Sequence, residues 1–135
     1  EKRVRANTVE AIESLGNSRL VPILLRYRHD PNNRIRGNVI KALFNLGYKD
    51  ITGLLVEMLS STDDLMKASA LWVISQIRQI NKEMLDLCGY HLLSENQMVA
   101  DNARKALKAL DIPRSKGYLY YFDEPEEDKP QPKMA

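Results

Sequence analysis

Few residues in this 135-residue chain have the spacing that metal binding or catalysis requires. Cys88 and His91 stand three residues apart on a predicted helix, but two side chains are too few to hold a zinc ion. Glu10 and Glu13 are neighbours on one helix surface, where two carboxylates usually serve solvation. The chain contains no glycine-rich phosphate loop and no nucleophile elbow. The sequence therefore predicts no catalytic residue, cofactor or metal, and it favours a non-enzymatic protein.

The elements that position these side chains follow from a recurring pattern, in which RVRANTVEAIESLG reappears 31 residues later as RIRGNVIKALFNLG. The pattern weakens into LMKASALWVISQIR and then MVADNARKALKALD. The four copies occupy residues 3–16, 34–47, 65–78 and 98–111. Apolar residues within a copy have helical spacing, as Ile35, Val39 and Leu43 illustrate. Such self-similarity is typical of stacked helical repeats, in which each unit buries its apolar face only against its neighbours.

A second set of helices is predicted between the copies, at roughly 19–27, 51–59 and 82–93. Capping residues stand before them at Ser18, Asp50 and Asn81. Gly16 and Gly47 suit left-handed ends for the first two copies of the pattern. The chain is thus predicted to alternate between inner helices, which carry the pattern, and outer helices.

This order of outer helix, acidic turn and an inner helix that begins with Val or Ile and then Arg resembles the short bacterial-type HEAT repeats over about residues 3–111. Asp30 with Arg36 is the best match to the aspartate–arginine pairing of that family. Lys67 is a weaker match, and Ala100 departs from it as a terminal repeat would. The resemblance, which extends to the HEAT-like repeats of phycobilisome lyases, implies an all-α, right-handed α-solenoid of antiparallel helix pairs.

On this basis the repeat array covers residues 1–111. It consists of an unpaired inner helix at 3–16 and pairs at about 18–47, 50–80 and 82–110. Residues 112–135 are expected to form an irregular tail whose last dozen residues are disordered. The tail aromatics are expected to cover the last repeat or to dock a partner: Tyr118, Tyr120, Tyr121 and Phe122. Because the chain begins with Glu1 and enters the pattern at once, we interpret it as a fragment from the C-terminal end of a longer array.

The exposed side of the inner helices, which lines the concave surface in HEAT-like stacks, is the candidate partner-binding surface. Trp72 stands on it where the other copies have Glu10, Lys41 and Lys105, so it is expected to be exposed. It either dominates partner binding, or its indole packs across adjacent inner helices or under the tail. A column of small polar residues runs beside it at one repeat position: Asn7, Asn38, Ser69 and Asn102. The predicted binding residues are completed by Lys41, Asn45, Gln76 and Lys105. The column either grips a peptide backbone or bonds to neighbouring helices.

Basic residues form two sets. Arg5, Arg36 and Lys67 recur at one position near the core side, where an internal charge network is favoured over phosphate contact. The second set surrounds the second unit and is a candidate for an acidic partner or for the chain's own acidic segment 123–128: Arg19, Arg26, Arg28, Arg34 and Arg36.

The preferred hypothesis is a soluble, cytoplasmic scaffold that binds a protein or peptide. A net charge of +2 and the glutamates beside the exposed face disfavour nucleic acid, although HEAT-like DNA glycosylases keep that alternative open. A lyase-like or chaperone-like role is a third alternative and rests on the family analogy. Self-association is a fourth, through the tail or through the N-terminal face of Val4, Ala11 and Leu15. No apolar stretch approaches the length of a membrane span.

Overall fold

The computed structural model describes residues 1–123, with side chains described up to Tyr120. Four inner helices correspond to the four copies of the pattern: α1 Lys2–Leu15, α3 Asn33–Asn45, α5 Asp64–Ile77 and α7 Gln97–Leu110. Outer helices precede the last three, and a final helix follows α7: α2 Val21–Leu25, α4 Thr52–Leu59, α6 Lys82–His91 and α8 Pro113–Asp123. The described residues thus form an α-solenoid of helix pairs, as the sequence predicts.

The inner helices begin at a hydrogen-bonding signal that recurs at one repeat position. Side chains that accept from a backbone N–H of the first turn cap α3, α5 and α7: Asn32, Asp63 and Asn96. Two residues earlier, a side-chain oxygen accepts from the backbone N–H of each capping residue: Asp30, Ser61 and Ser94. Because these bonds satisfy N–H groups that a helix or turn leaves without partners, each inner helix starts at the same register.

The outer helices differ from the prediction in their starts. Asn81 caps α6 as expected, but Ser18 and Asp50 are not the capping residues. Asn17 instead accepts from the Arg19 backbone N–H, which tightens the chain into a 3-10 turn before α2 begins. Helix α2 then ends at Leu25 rather than near residue 27. The backbone N–H groups of residues 26–28 bond to carbonyls three residues earlier instead of four, and the Arg28 side chain donates from Nη1 to the Leu25 carbonyl at 2.6 Å.

The inner helices also end at one repeat position, where all four residues have positive φ. The values are 65° at Gly16, 94° at Gly47, 56° at Arg78 and 46° at Asp111. Glycine adopts this left-handed conformation without a steric penalty, whereas a residue with a Cβ does not. The sequence indicates this conformation only at the two glycines, because Arg and Asp residues do not by themselves indicate a positive φ.

The core consists mainly of contacts between consecutive inner helices. Helix α5 packs between α3 and α7, while α1 packs against α3, and the outer helices cover one side of the stack. Ile40 and Leu71 occupy equivalent positions and are fully buried, as are Val73 and Ile74 on α5. An inner helix in the middle of the array is therefore buried toward both neighbours. Its buried surface is wider than the single apolar stripe of an isolated amphipathic helix.

Helix α1 is buried on one side only. Val4 is 58% exposed and Leu15 is 71% exposed, whereas the equivalent Ile35 and Leu46 of α3 are buried. Val9, which faces α3, is buried as well. This exposed apolar surface is the one on which the sequence-based hypothesis of self-association rests, and that hypothesis stays a prediction.

The segment after α7 is helical, which corrects the expected irregular tail. Pro113 takes the first helical position, where its missing N–H is not needed, and the buried Ser115 hydroxyl accepts from the Ile112 backbone N–H. Tyr118 packs on Gly89 of α6, where a Cβ would overlap its ring. The side chains of Tyr121 and Phe122, together with residues 124–135, lie outside the described part of the chain.

Asp86 of α6 holds α8 in place. Its Oδ1 atom accepts from Arg114 Nε at 2.8 Å and from the Tyr118 hydroxyl at 2.9 Å. The hydrogen bonds from Arg114 and Tyr118 lower the pKa of Asp86, and the hydrogen bond to Asp86 raises the pKa of Tyr118. Since the charged carboxylate is the form that both donors stabilise, α8 is held most firmly when Asp86 is ionised.

Within residues 1–123, none of the helices combines the length and the hydropathy that crossing a lipid bilayer demands.

We expect Arg78→Gly to raise the free energy of unfolding by about 0.5–1 kcal/mol, because glycine removes the steric cost of the left-handed conformation but adds backbone entropy to the unfolded chain. Urea denaturation followed by circular dichroism measures the change. Gly47→Ala is the reverse substitution at the equivalent position and should lower the stability. A lower stability of Arg78→Gly would show that the Arg78 conformation carries less strain than the entropy that glycine adds to the unfolded chain.

We expect Gly89→Ala to displace Tyr118 and loosen α8, with a loss of about 1–3 kcal/mol, because the added methyl group enters space that the ring fills. Hydrogen exchange should then quicken over residues 113–120. Gly53→Ala in α4 is the matched control, since its Cβ would meet no atom within 4 Å, and it should keep or slightly raise stability. Unchanged protection of α8 in Gly89→Ala would contradict this packing.

Candidate binding groove

A groove of about 390 Å³ runs across the exposed sides of α3, α5 and α7. Its lining comprises apolar, amide and hydroxyl side chains with one arginine: Asn33, Arg34, Gly37, Asn38, Leu65, Ala68, Ser69, Trp72, Met98 and Asn102. Four of the predicted binding residues therefore meet in one place: Asn38, Ser69, Trp72 and Asn102. The recurrence of the pattern brings them together, because equivalent positions on stacked helices face the same way.

Small residues make the floor of the groove. Gly37 lies where α3 approaches α5, and a Cβ there would lie 3.3 Å from Val73 Cγ2 and 3.6 Å from Ser69 Cβ. Val73 is fully buried and has little room to give way. A glycine inside a good helical pattern is a sign of close backbone approach, and at Gly37 that sign is correct. The sequence-based list of binding residues omitted six residues that line the groove: Asn33, Arg34, Gly37, Leu65, Ala68 and Met98.

The polar column along the inner helices is divided between two roles. Asn33 Nδ2 donates to Ser69 Oγ at 2.7 Å, and Asn102 Nδ2 donates to the Ala68 carbonyl at 2.9 Å. These bonds join neighbouring inner helices, which is the structural role that the sequence left open. Asn38 is exposed and lines the groove, so its amide is available to a ligand. Asn7 is exposed on α1, outside the groove.

Trp72 is the centre of an apolar cluster in the groove. Its side chain is 38% exposed, as expected for a tryptophan at a position that other repeats fill with Glu or Lys. Leu65 and Met98 also line the groove and are exposed. Lys41 Nζ lies 5.4 Å from the centre of a Trp72 ring, which is within cation–π distance, and it pairs with Glu13 Oε1 at 3.1 Å. The lysine therefore fixes one side of the indole.

The other predicted binding residues lie beside the groove rather than in it. Asn45 Nδ2 stands 3.5 Å from Glu13 Oε2, Gln76 Nε2 stands 3.4 Å from Ser75 Oγ, and Lys105 is exposed. The predicted tail residues Tyr118 and Tyr120 do not line the groove, and Tyr118 packs against α6. Within the described residues, the tail therefore covers part of the last unit and leaves the groove open.

The recurrent basic residues form internal ion pairs, as predicted, but the partners differ. Asp30 binds Arg5 of the preceding unit, with its Oδ2 atom 2.6 Å from Arg5 Nε, and not Arg36. Arg36 instead reaches Glu57 of α4 at 3.0 Å, where His29 also lies 3.0 Å away. The pairing is shifted by one unit because the side chain of an inner helix reaches the turn that begins the next inner helix.

The Arg5–Asp30 pair is a partly buried link between consecutive units. The Asp30 side chain is only 3% exposed, and its other oxygen accepts from the Asn32 backbone N–H at 2.9 Å. Burial alone would raise the pKa of Asp30, but the hydrogen bonds from Arg5 and Asn32 outweigh it and lower the pKa. A buried carboxylate that keeps its charge in this way is stable only while its partners stay in position.

Cys88 and His91, which the sequence places three residues apart, are both buried. Burial raises the pKa of the Cys88 thiol to about 12, so the thiol is protonated at neutral pH. His91 is buried, with Nδ1 2.7 Å from the Leu87 carbonyl. Across residues 1–123, no three potential metal ligands cluster together.

The lining of the groove offers apolar contact, amide hydrogen bonds and one guanidinium group. Binding sites recognise their ligands through groups of this kind.

Comparison with known proteins agrees with the repeat architecture. The sequence model for HEAT repeats matches residues 1–75, which is more than half of the chain. No curated protein matches the chain.

We expect Asp30→Asn to lower the free energy of unfolding by about 1–2 kcal/mol at neutral pH, because it leaves Arg5 without its charged partner. The folded pKa of Asp30 is lowered, so its contribution is complete above the usual aspartate pKa of about 3.9 and is lost as the pH falls through the folded value. Urea titrations at pH 7 and below pH 4 should therefore show the difference between wild type and Asp30→Asn shrinking in acid.

Asp63→Asn is the control for this experiment. Asparagine caps a helix as well as aspartate does, and the equivalent caps are Asn32 and Asn96, so the substitution should leave stability nearly unchanged. A pH-independent difference between wild type and Asp30→Asn would contradict the assigned role of the charge.

Proposed function

Because the chain belongs to the HEAT repeat family, we propose that it is a non-enzymatic interaction scaffold that binds a segment of a partner protein in the groove of α3, α5 and α7. HEAT repeats are generally protein-interaction scaffolds. The stacked helices give such a protein its binding surface before the partner arrives, so little ordering cost opposes binding. The single cysteine, buried Cys88, is compatible with the reducing cytoplasm, where we propose that the protein acts.

The observation that carries the proposal is the exposure of Trp72 inside the groove. Tryptophan is costly to leave in water, and partly exposed tryptophans in well-formed depressions are the residues that most often dominate binding energy. Leu65 and Met98 add apolar surface to the same groove, so an apolar side chain of a partner can pack there. The exposed positions of α1 and α3 equivalent to Trp72 carry Glu10 and Lys41 and offer no such site.

The dimensions and polar groups of the groove favour an extended peptide. Neighbouring helices in a stack are separated by about 8–10 Å, which corresponds to about three residues of extended chain. The Asn38 amide can donate to and accept from a peptide backbone lying across α3. A duplex nucleic acid requires several phosphate contacts, whereas Arg34 is the one charged residue in the described lining.

Selection of peptides from a random displayed library tests this function. We expect selected peptides to shift the emission of Trp72, the only tryptophan, and Trp72→Ala to weaken their binding by at least about 30-fold, corresponding to about 2 kcal/mol. Tyr90→Ala is the matched control, because Tyr90 is an exposed aromatic residue on α6 outside the groove lining. It should leave binding unchanged.

Circular dichroism of both variants verifies that they remain folded. Selected peptides that bind wild type and Trp72→Ala equally well would refute the groove as the binding site. A version ending at Asp123 adds a further comparison, because a blue-shifted Trp72 emission in the full chain alone would mean that residues 124–135 cover the indole.

A further inference from the structure

The groove carries a positive charge without a partner among the described residues. Arg34 lies at the start of α3, is exposed, and makes no hydrogen bond or ion pair with another described side chain. No carboxylate lines the groove over residues 1–123. An unpaired guanidinium beside apolar surface is a site where a carboxylate can bind in two parallel hydrogen bonds.

Three carboxylates adjoin the groove and are already bound within the protein: Glu13 through Lys41, which lies near Trp72, and Asp64 and Asp101, which precede the lining residues Leu65 and Asn102. Glu13 pairs with Lys41 at 3.1 Å. Asp64 Oδ2 accepts from Asn96 Nδ2 at 3.1 Å, and its other oxygen lies 3.7 Å from Lys67. Asp101 accepts from Gln97 and Arg104 at 2.8 and 2.9 Å. Each of these three carboxylates thus has a partner within the protein, whereas Arg34 at one end of the groove has none among the described residues.

The charged end and the apolar end lie on different helices. Arg34 is on α3, whereas Leu65 and Trp72 are on α5 and Met98 is on α7. Because each inner helix is separated from the next by one outer helix, the inner helices run in the same direction. Arg34, Leu65 and Met98 occupy one repeat position and consequently form one edge of the groove. A ligand that lies across the stack meets the guanidinium first and the apolar cluster next.

Resting on the proposed function, we propose that the bound segment is an acidic peptide in which an Asp or Glu pairs with Arg34 and an apolar side chain packs among Leu65, Trp72 and Met98. The distance from α3 to the space between α5 and α7 is about one to one and a half helix spacings, so the two anchors are about three to five residues apart in an extended chain. Complementary charge sets the direction of the peptide, and the apolar anchor supplies most of the affinity.

A charge-reversal experiment tests this peptide chemistry. The same random displayed library is selected in parallel against wild type, Arg34→Glu and the control Arg26→Glu, which reverses an exposed charge outside the groove lining. Wild type and Arg26→Glu should enrich Asp or Glu three to five residues from an apolar residue. Arg34→Glu should enrich Lys or Arg at that place instead. Circular dichroism confirms that each variant is folded.

A synthetic peptide with the wild-type consensus serves as the probe for affinity. Arg34→Glu should weaken its binding by at least about tenfold, and replacing the acidic residue of the peptide by Lys should restore binding to that variant. Selected peptides that depend on Trp72 but show no acidic preference would overturn this proposal and leave the scaffold function intact. Peptides that bind without Trp72 would refute both.

Two other occupants are distinguished in the same assay. If the probe binds only after residues 124–135 are removed, the chain's own acidic segment occupies the groove and the proposal of a partner peptide is wrong. Tighter binding by a single-stranded thymidine oligonucleotide, with a steep dependence on salt, would likewise overturn the proposal in favour of nucleic acid.

Discussion

The packing of each inner helix between its two neighbours is the constraint on which the rest of the structure depends. Helix α5 shows it most clearly, because Leu71, Val73 and Ile74 are all inaccessible to solvent. Gly37 allows α3 to approach α5 closely, and the Arg5–Asp30 pair ties the first inner helix to the turn before α3. Since the packing between inner helices recurs from unit to unit, it fixes the spacing and the direction of the side chains on the exposed face.

This constancy of the buried positions leaves the exposed positions free to differ. One exposed position carries Glu10, Lys41, Trp72 and Lys105 in the four inner helices, while the buried position two residues further along carries Ile12, Leu43, Ile74 and Leu107. On the proposed function, binding specificity resides in the exposed set. The groove arises where three of these exposed faces meet, so its apolar and basic ends come from different repeats.

Helix α8 shows how the array changes at the last unit. Helix α7 has Asp101 and Arg104 at the positions where α5 has the buried Ala68 and Leu71. Polar residues at these positions suit the end of a stack rather than its middle. Helix α8 packs on both α6 and α7, held by Asp86 and by Tyr118 on Gly89. It leaves the groove uncovered, because its contacts lie with α6 and α7 outside the groove lining.

The sequence by itself determined the repeat, the helix pairs and the exposure of Trp72, because helical periodicity and the recurrence of the pattern are local properties of the chain. It did not determine that Asp30 binds Arg5 instead of Arg36, that Arg78 and Asp111 adopt positive φ, or that residues 113–123 are helical. Only the tertiary structure decided these. The partner of Asp30 is a guanidinium one repeat earlier, α8 packs on Gly89 through Tyr118, and the positive φ values occur at residues whose types do not indicate them. Contacts between units depend on distances across the stack, and a periodic pattern does not record those distances.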